Sequence, residues 1–106
     1  MRRRFPSLRG LRAFEATGRH GSVARAAQEL TVTPGAISRQ ISLLEAHFGC
    51  TLFMRRGRGM ELTGKGRHLL RAATEAFDRL DEASSHLMGA SNPRLSLKAY
   101  PTFATE

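Results

Sequence analysis

Residues 22–48 read SVARAAQELTVTPGAISRQISLLEAHF, and their punctuation divides them into two helices. Ser22 is a hydroxyl N-cap, and Val23, Ala26, Ala27 and Leu30 follow it at helical spacing, which predicts a short helix. Thr31-Val32-Thr33 is a three-residue connection. Thr33-Pro34 then restarts the chain, with a capping hydroxyl followed by proline at the first helical position, where its fixed φ costs nothing. Ile37, Ile41, Leu44 and Phe48 recur at i, i+4, i+7 and i+11, a narrow core stripe, and Gly49 is placed to end the helix in the left-handed conformation.

A short helix, a tight turn and a longer second helix make a helix-turn-helix. In that motif the second helix enters the major groove of DNA and its N-terminal residues touch base edges. At about 100° per residue, Gly35, Arg39, Ser42 and Ala46 lie opposite the core stripe, with Ser38 on the flank. Gly35, Ala36 and Ser38 are small enough to let the backbone approach the groove floor, and the methyl of Ala36 suits a thymine methyl. The unsatisfied N–H groups of the first turn suit a phosphate. Arg39 is the one long cation on this face and fits a guanine O6/N7 edge. A polar helix face is also what any solvated amphipathic helix shows, so the motif does not decide alone.

The flanking segments add to it. Upstream, Ser7 caps an expected helix with an apolar stripe of Leu8, Leu11 and Phe14, continued by Thr17 or Gly18 and stopped by Gly18 and Gly21. Downstream, Leu52-Phe53-Met54-Arg55 and Met60-Glu61-Leu62 read as two short strands. The turn between them, Arg56-Gly57-Arg58-Gly59, offers two glycines for positive φ. Arg55, Arg56 and Arg58 thus cluster at a hairpin tip directly after the helix-turn-helix, where a narrow minor groove would attract an inserted arginine. Thr63 caps a last helix running to about Met88, and Gly89-Ala90-Ser91-Asn92-Pro93 is a linker. Leu95, Leu97 and Ala99 alternate like the start of a strand, which finds no partner in the rest of the chain.

Composition agrees with a nucleic-acid partner. The 106 residues hold 17 Lys+Arg and 9 Asp+Glu, a net charge of +8, and residues 1–71 carry 14 of the basic and 4 of the acidic side chains. A single cysteine, Cys50, excludes an internal disulfide and fits a reducing compartment; beside the hairpin it reads as a small buried hydrophobe. No apolar run approaches a membrane span, and Arg2-Arg3-Arg4 is followed by no signal-peptide core. Gly59-Met60-Glu61-Leu62-Thr63-Gly64-Lys65-Gly66 nearly spells a phosphate loop, but Gly66 stands where the Mg²⁺-binding hydroxyl belongs. His20, His47, His68, His86 and Cys50 have no ligand-like spacing, so no metal site is expected, and no nucleophile–base pairing points to an enzyme.

The order and spacing of these residues resemble the N-terminal region of LysR-type transcriptional regulators. The matching residues are Leu11-Arg12-Ala13-Phe14, Gly21-Ser22-Val23, Ala26-Ala27, Leu30, Val32 to Ile41, Leu44-Glu45, Gly49, Leu52-Phe53, Arg55, Arg58, Leu62-Thr63 and Gly66. Around Cys50 to Phe53 and at Arg58-Gly59 the wording is similar to the subgroup of glycine-cleavage and β-lactamase regulators. The resemblance implies a mainly α fold: a winged helix-turn-helix over residues 6–63, a dimerisation linker helix over 64–89, and over 90–106 a hinge with the first strand of an effector-binding domain. It implies base or phosphate contacts at Thr33, Pro34, Gly35, Ala36, Ser38 and Arg39, with Ser42 on the same face. Wing contacts fall at Arg55 with Arg56 and Arg58 beside it, and backbone phosphate contacts at Ser22 and Arg25. Val23 stands where an aromatic is common, and Gly35 lacks a side chain the family often uses.

The last helix carries a heptad-like seam of Leu70, Ala73, Phe77, Leu80, Ser84 and Leu87, widened by Leu69, Ala76 and Ala83. Part of this stripe serves its own domain; the resemblance implies antiparallel pairing with a second subunit. The expectation is therefore a cytoplasmic, nucleoid-associated regulator binding double-stranded DNA as a homodimer, tetrameric at full length, with any small-molecule effector held by a further domain and no cofactor in these residues. A non-specific architectural DNA binder, or a dimerisation module without DNA function, remain alternatives on sequence alone.

Overall fold

The computed structural model describes residues 5–57 and 59–89. Its elements are α1 (Leu8–His20), α2 (Val23–Leu30), α3 (Pro34–Phe48), β1 (Phe53–Arg56), β2 (Gly59–Leu62) and α4 (Gly64–Gly89). This is the expected mainly helical winged helix-turn-helix followed by a long helix. The chain divides into two units, residues 1–73 and 74–106. The expected hinge and strand over 90–106, and Arg58, lie outside the described residues.

Every helix of the first unit starts on a hydroxyl that accepts the N–H three residues on. Ser7 Oγ takes Gly10 N at 3.0 Å, Ser22 Oγ takes Arg25 N at 3.1 Å, Thr33 Oγ1 takes Ala36 N at 3.1 Å and Thr63 Oγ1 takes Gly66 N at 3.0 Å. Gly21 (φ 69°) and Gly49 (φ 70°) close α1 and α3 in the left-handed region. Thr31 closes α2 at φ 60°, a left-handed β-branched residue that no sequence rule anticipates. Two bonds hold that turn: Thr31 N–H donates to Gln28 O at 3.3 Å and Val32 N–H to Ala27 O at 3.0 Å.

The core of this unit joins Ala13, Phe14 and Ala16 of α1, Ala26 and Ala27 of α2, Ile37, Ile41 and Leu44 of α3, and Leu52 and Phe53 at the hairpin base. The rings of Phe14 and Phe53 stack tilted at 5.3 Å. Leu11, Val23, Leu30, Cys50, Leu69 and Leu70 cover its rim, so Cys50 is half-buried rather than buried.

Several expectations are corrected. Leu8 is 60% exposed, because it precedes Phe14 by six residues and so points about 120° away from it. Phe48 is 42% exposed: it is the last residue of α3, and its ring lies edge-on to His47 at 5.0 Å instead of in the core. Gly18 does not stop α1, which continues to His20. A Cβ on Gly18 would lie 3.1 Å from both methyls of Leu70, so this glycine makes room for α4. In the hairpin Phe53 pairs with Leu62 and Arg56 with Gly59. The strands therefore include Arg56 and Gly59 and omit Leu52, whose N–H goes to Glu45. Only Gly57 of the two turn glycines takes positive φ, at 59°, since Gly59 is a strand residue.

Gly66 is demanded by close packing. A Cβ there would stand 2.1 Å from the carbonyl oxygen of Leu52. In the second unit α4 continues through Phe77, half-buried, to Leu80 and Leu87, which are 57% and 81% exposed.

Two substitutions test this packing. Gly66→Ala gains helix propensity but forces α4 off the hairpin base, so it should destabilise by on the order of 2 kcal/mol and lower Tm by roughly 10 °C. Thr17 is fully buried with its hydroxyl unpartnered among the described residues. Thr17→Val should therefore leave Tm unchanged or raise it, by up to about 1 kcal/mol. A stable Gly66→Ala or a strongly destabilised Thr17→Val in thermal unfolding would contradict these contacts.

Candidate nucleic-acid interface

The start of α3 presents most of the residues singled out in the sequence. Thr33, Pro34, Gly35, Ser38, Arg39 and Ser42 are exposed, and Ala36 is half-buried. The same rotation that buries Ile37, Ile41 and Leu44 turns Ser38, Arg39 and Ser42 outward. Thr33 and Ser22 spend an oxygen lone pair on their own helix caps, which leaves each O–H able to donate elsewhere. Gly35 has no positive φ, and a Cβ on it would meet only Thr33 Oγ1 at 4.0 Å. Nothing in the fold requires glycine there.

An open cleft of about 580 Å³ runs between the start of α2, the outer face of α3 and the hairpin. Ser22, Ser38, Ser42, Glu45 and Arg55 are among the residues lining it. Strand alternation separates the two described wing arginines. Arg55 follows Phe53 on the cleft side, whereas Arg56 reaches across the ribbon to Glu61, Nε to Oε1 at 3.1 Å. Both are exposed. Arg25 is exposed on α2. The side chains of Arg25, Arg39 and Arg55 make no hydrogen bond or ion pair among the described residues.

Sequence reasoning passed over Glu45 as a functional residue. Its carboxylate Oε2 accepts Leu52 N–H at 2.8 Å and Phe53 N–H at 3.3 Å, tying α3 to the base of the hairpin. No spacing rule signals such a long-range side chain to backbone bond. It also missed an ionic clasp between α1 and α2. Arg19 donates to Glu15 at 2.8 Å and to Glu29 at 2.8 and 2.9 Å, and His20 Nε2 lies 2.7 Å from Glu29. The i, i+4 spacing of Glu15 and Arg19 is visible in sequence; the reach to Glu29 is tertiary. Hydrogen bonds donated to Glu15 first and Glu29 second hold the Arg19 guanidinium above its ordinary pKa. The Arg19 hydrogen bond, helped by His20 and opposed by burial, holds the Glu29 carboxyl down at about 2.

The seam residues of α4 fall in two places. Leu69 and Leu70 pack on the first unit's core and Ala73 is buried there, while Phe77, Leu80, Ser84 and Leu87 belong to the second unit.

This arrangement defines a winged helix-turn-helix. Residues 8–67 match the model of the bacterial regulatory helix-turn-helix proteins of the LysR family, and the chain belongs to that family. The HTH-type transcriptional regulator TrpI of Pseudomonas aeruginosa is 52% identical over 80 residues, covering 76% of this chain and 27% of TrpI. The glycine cleavage system transcriptional activator of Escherichia coli K12 is 42% identical over 105 residues, covering 98% of this chain and 34% of that protein. The chain thus spans about a third or less of the length of these relatives. Among solved structures, the DNA-binding domain of CbnR in complex with DNA superposes with a TM-score of 0.68 at 32% identity, over 81% of this chain and 99% of that one.

The clasp has a pH signature. A carboxyl held below its ordinary value stabilises the fold while it is ionised. The contribution of Glu29 should be complete above about pH 4.5 and vanish as pH falls through about 2. Because the side chain is 37% exposed, solvent screening keeps the contribution below about 1 kcal/mol. Urea unfolding of wild type and Glu29→Gln should show a stability gap near neutrality that closes by about pH 2; a gap constant over that range would contradict the clasp.

Proposed function

We propose that this chain is the DNA-reading region of a sequence-specific transcription regulator and not an enzyme. The observation that carries the reading is the convergence on one cleft of Ser38 and Ser42, from the exposed face of α3, with Arg55, which has no partner among the described residues. The similarity to the CbnR DNA-binding domain in its complex with DNA supports it, as do the regulators TrpI and the glycine cleavage activator among the relatives. In this reading α3 docks in the major groove. Thr33, Pro34, Gly35, Ala36, Ser38, Arg39 and Ser42 meet bases and adjacent phosphates, with Arg39 on a guanine edge. Arg55, with Arg56 and Arg58 beside it, enters the minor groove, and Ser22 and Arg25 hold backbone phosphate.

Residues 6–63 form the DNA-binding domain and 64–89 the linker helix, with 90–106 leading to an effector-binding domain. Exposed Leu80 and Leu87 on the α4 seam belong to a homodimer interface, which presents two copies of α3 to an inverted repeat. The full-length protein is a cytoplasmic tetramer whose effector site lies beyond these residues. Among the described residues no helix is long and apolar enough to cross a membrane.

Selection of bound duplexes from a random-sequence pool should return an inverted repeat preferred by about 10³-fold or more over random DNA. Arg39→Ala should cost about 1–3 kcal/mol and relax one base position per half-site, and log affinity should fall steeply with log salt. Arg39→Ala and Arg55→Ala proteins that bind like wild type would refute the reading. For the assembly, Leu80→Glu with Leu87→Glu should turn a dimer into a monomer in sedimentation velocity; a wild-type monomer at micromolar concentration would refute the seam.

A further inference from the structure

Glu45 stands apart from the cationic and hydroxylic residues around it. It lies seven residues after Ser38 and three after Ser42, so all three share one face of α3 and line the same cleft. A solvated carboxylate there would repel the phosphates of a duplex. This carboxylate is instead turned to the protein. Oε2 accepts the N–H groups of Leu52 and Phe53, at 2.8 and 3.3 Å, while the main-chain carbonyl of the same residue accepts Gly49 N–H at 2.8 Å and Cys50 N–H at 3.2 Å. One residue of the recognition helix therefore holds four of the five amides between the end of α3 and the start of β1. Two amide bonds to one carboxylate oxygen, the Leu52 bond short and charge-assisted, fix the hairpin base against α3. Arg55 stands two residues beyond Phe53 on the same face of the ribbon, so its position inherits that geometry.

We infer that Glu45 is a positioning residue that sets the separation between the recognition helix and the wing, and with it the spacing of groove contacts that a half-site must offer. This rests on the DNA-reading function proposed above. The residue acts through Arg55 and touches no base. Its charge matters less than its reach: glutamine keeps an acceptor oxygen at the same distance, whereas aspartate keeps the charge but falls one methylene short.

The test compares wild type, Glu45→Gln, Glu45→Asp and Glu45→Ala in two ways. The first is the ratio of affinities for the wild-type-selected duplex and a scrambled duplex. The second, without DNA, is the nitroxide–nitroxide distance distribution between labels on Ala46→Cys and Glu61→Cys, in a Cys50→Ser background. Glu45→Gln should keep both the ratio and a narrow distribution. Glu45→Asp and Glu45→Ala should broaden or shift the distribution and lower the ratio by roughly tenfold or more, while scrambled-duplex affinity and helical circular dichroism stay at wild-type values. Should Glu45→Ala unfold, the contrast between Gln and Asp decides. Aspartate behaving as wild type while glutamine fails would overturn the inference, as would wild-type distances in Glu45→Asp. If wild type prefers no duplex sequence, the DNA-reading function fails, and the distances still judge the strut on their own.

Discussion

The main chain of Leu52 is the joint on which the first unit depends. Its side chain is 2% exposed in the core, its N–H is taken by Glu45 of α3, and its carbonyl accepts Thr63 N–H at 3.0 Å. Thr63 in turn donates its hydroxyl to Thr51 O at 2.9 Å and caps α4, whose Gly66 lies against the same Leu52 carbonyl. Three elements meet at this residue, and two of them are marginal alone. A ribbon of two four-residue strands has no independent stability, and α3 at 15 residues is near the length below which isolated helices melt. Hydrogen bonding at Leu52 makes them one body, so the wing is held by the helices and not by its own ladder.

The same economy governs charge. Residues 1–71 contain four acidic side chains, Glu15, Glu29, Glu45 and Glu61, and each has an internal partner. Arg19 and His20 take the first two, backbone amides take the third and Arg56 takes the fourth. Negative charge is thus tied into the scaffold, while Arg25, Arg39 and Arg55 stand exposed without partners among the described residues. A net charge of +8 attracts a polyanion over about a Debye length, an attraction that weakens as salt rises.

Much of this was legible in the chain. The capping hydroxyls of Ser7, Ser22, Thr33 and Thr63 all form the expected bonds, because a cap depends on residues only three apart. The glycines at 21 and 49 likewise close their helices as read. Errors arose where a neighbour distant in sequence decides the outcome. Gly18 reads as a helix stop until Leu70 is seen to need its space, Leu8 reads as core until it is seen to point away from Phe14, and Phe48 until the end of α3 is seen to lie outside the core. Thr31 takes the left-handed region to close α2 through local bonds to Gln28 and Ala27, a cap that a glycine would have signalled and a threonine does not. The exposed face of α3 was legible because its periodicity is local. The strut at Glu45 and the clasp at Arg19 were not, since both join elements that only the fold brings together.

In the proposed reading one face, the outward side of α3 with Arg55, meets DNA. Backbone amide chemical shifts of the labelled chain, followed during titration with a duplex selected from random DNA, test it most directly. The largest changes should fall between Thr33 and Ser42 and at Arg55, with α1 from Ala13 to Thr17 nearly unmoved. Changes concentrated on α1, with the first turn of α3 unaffected, would contradict it.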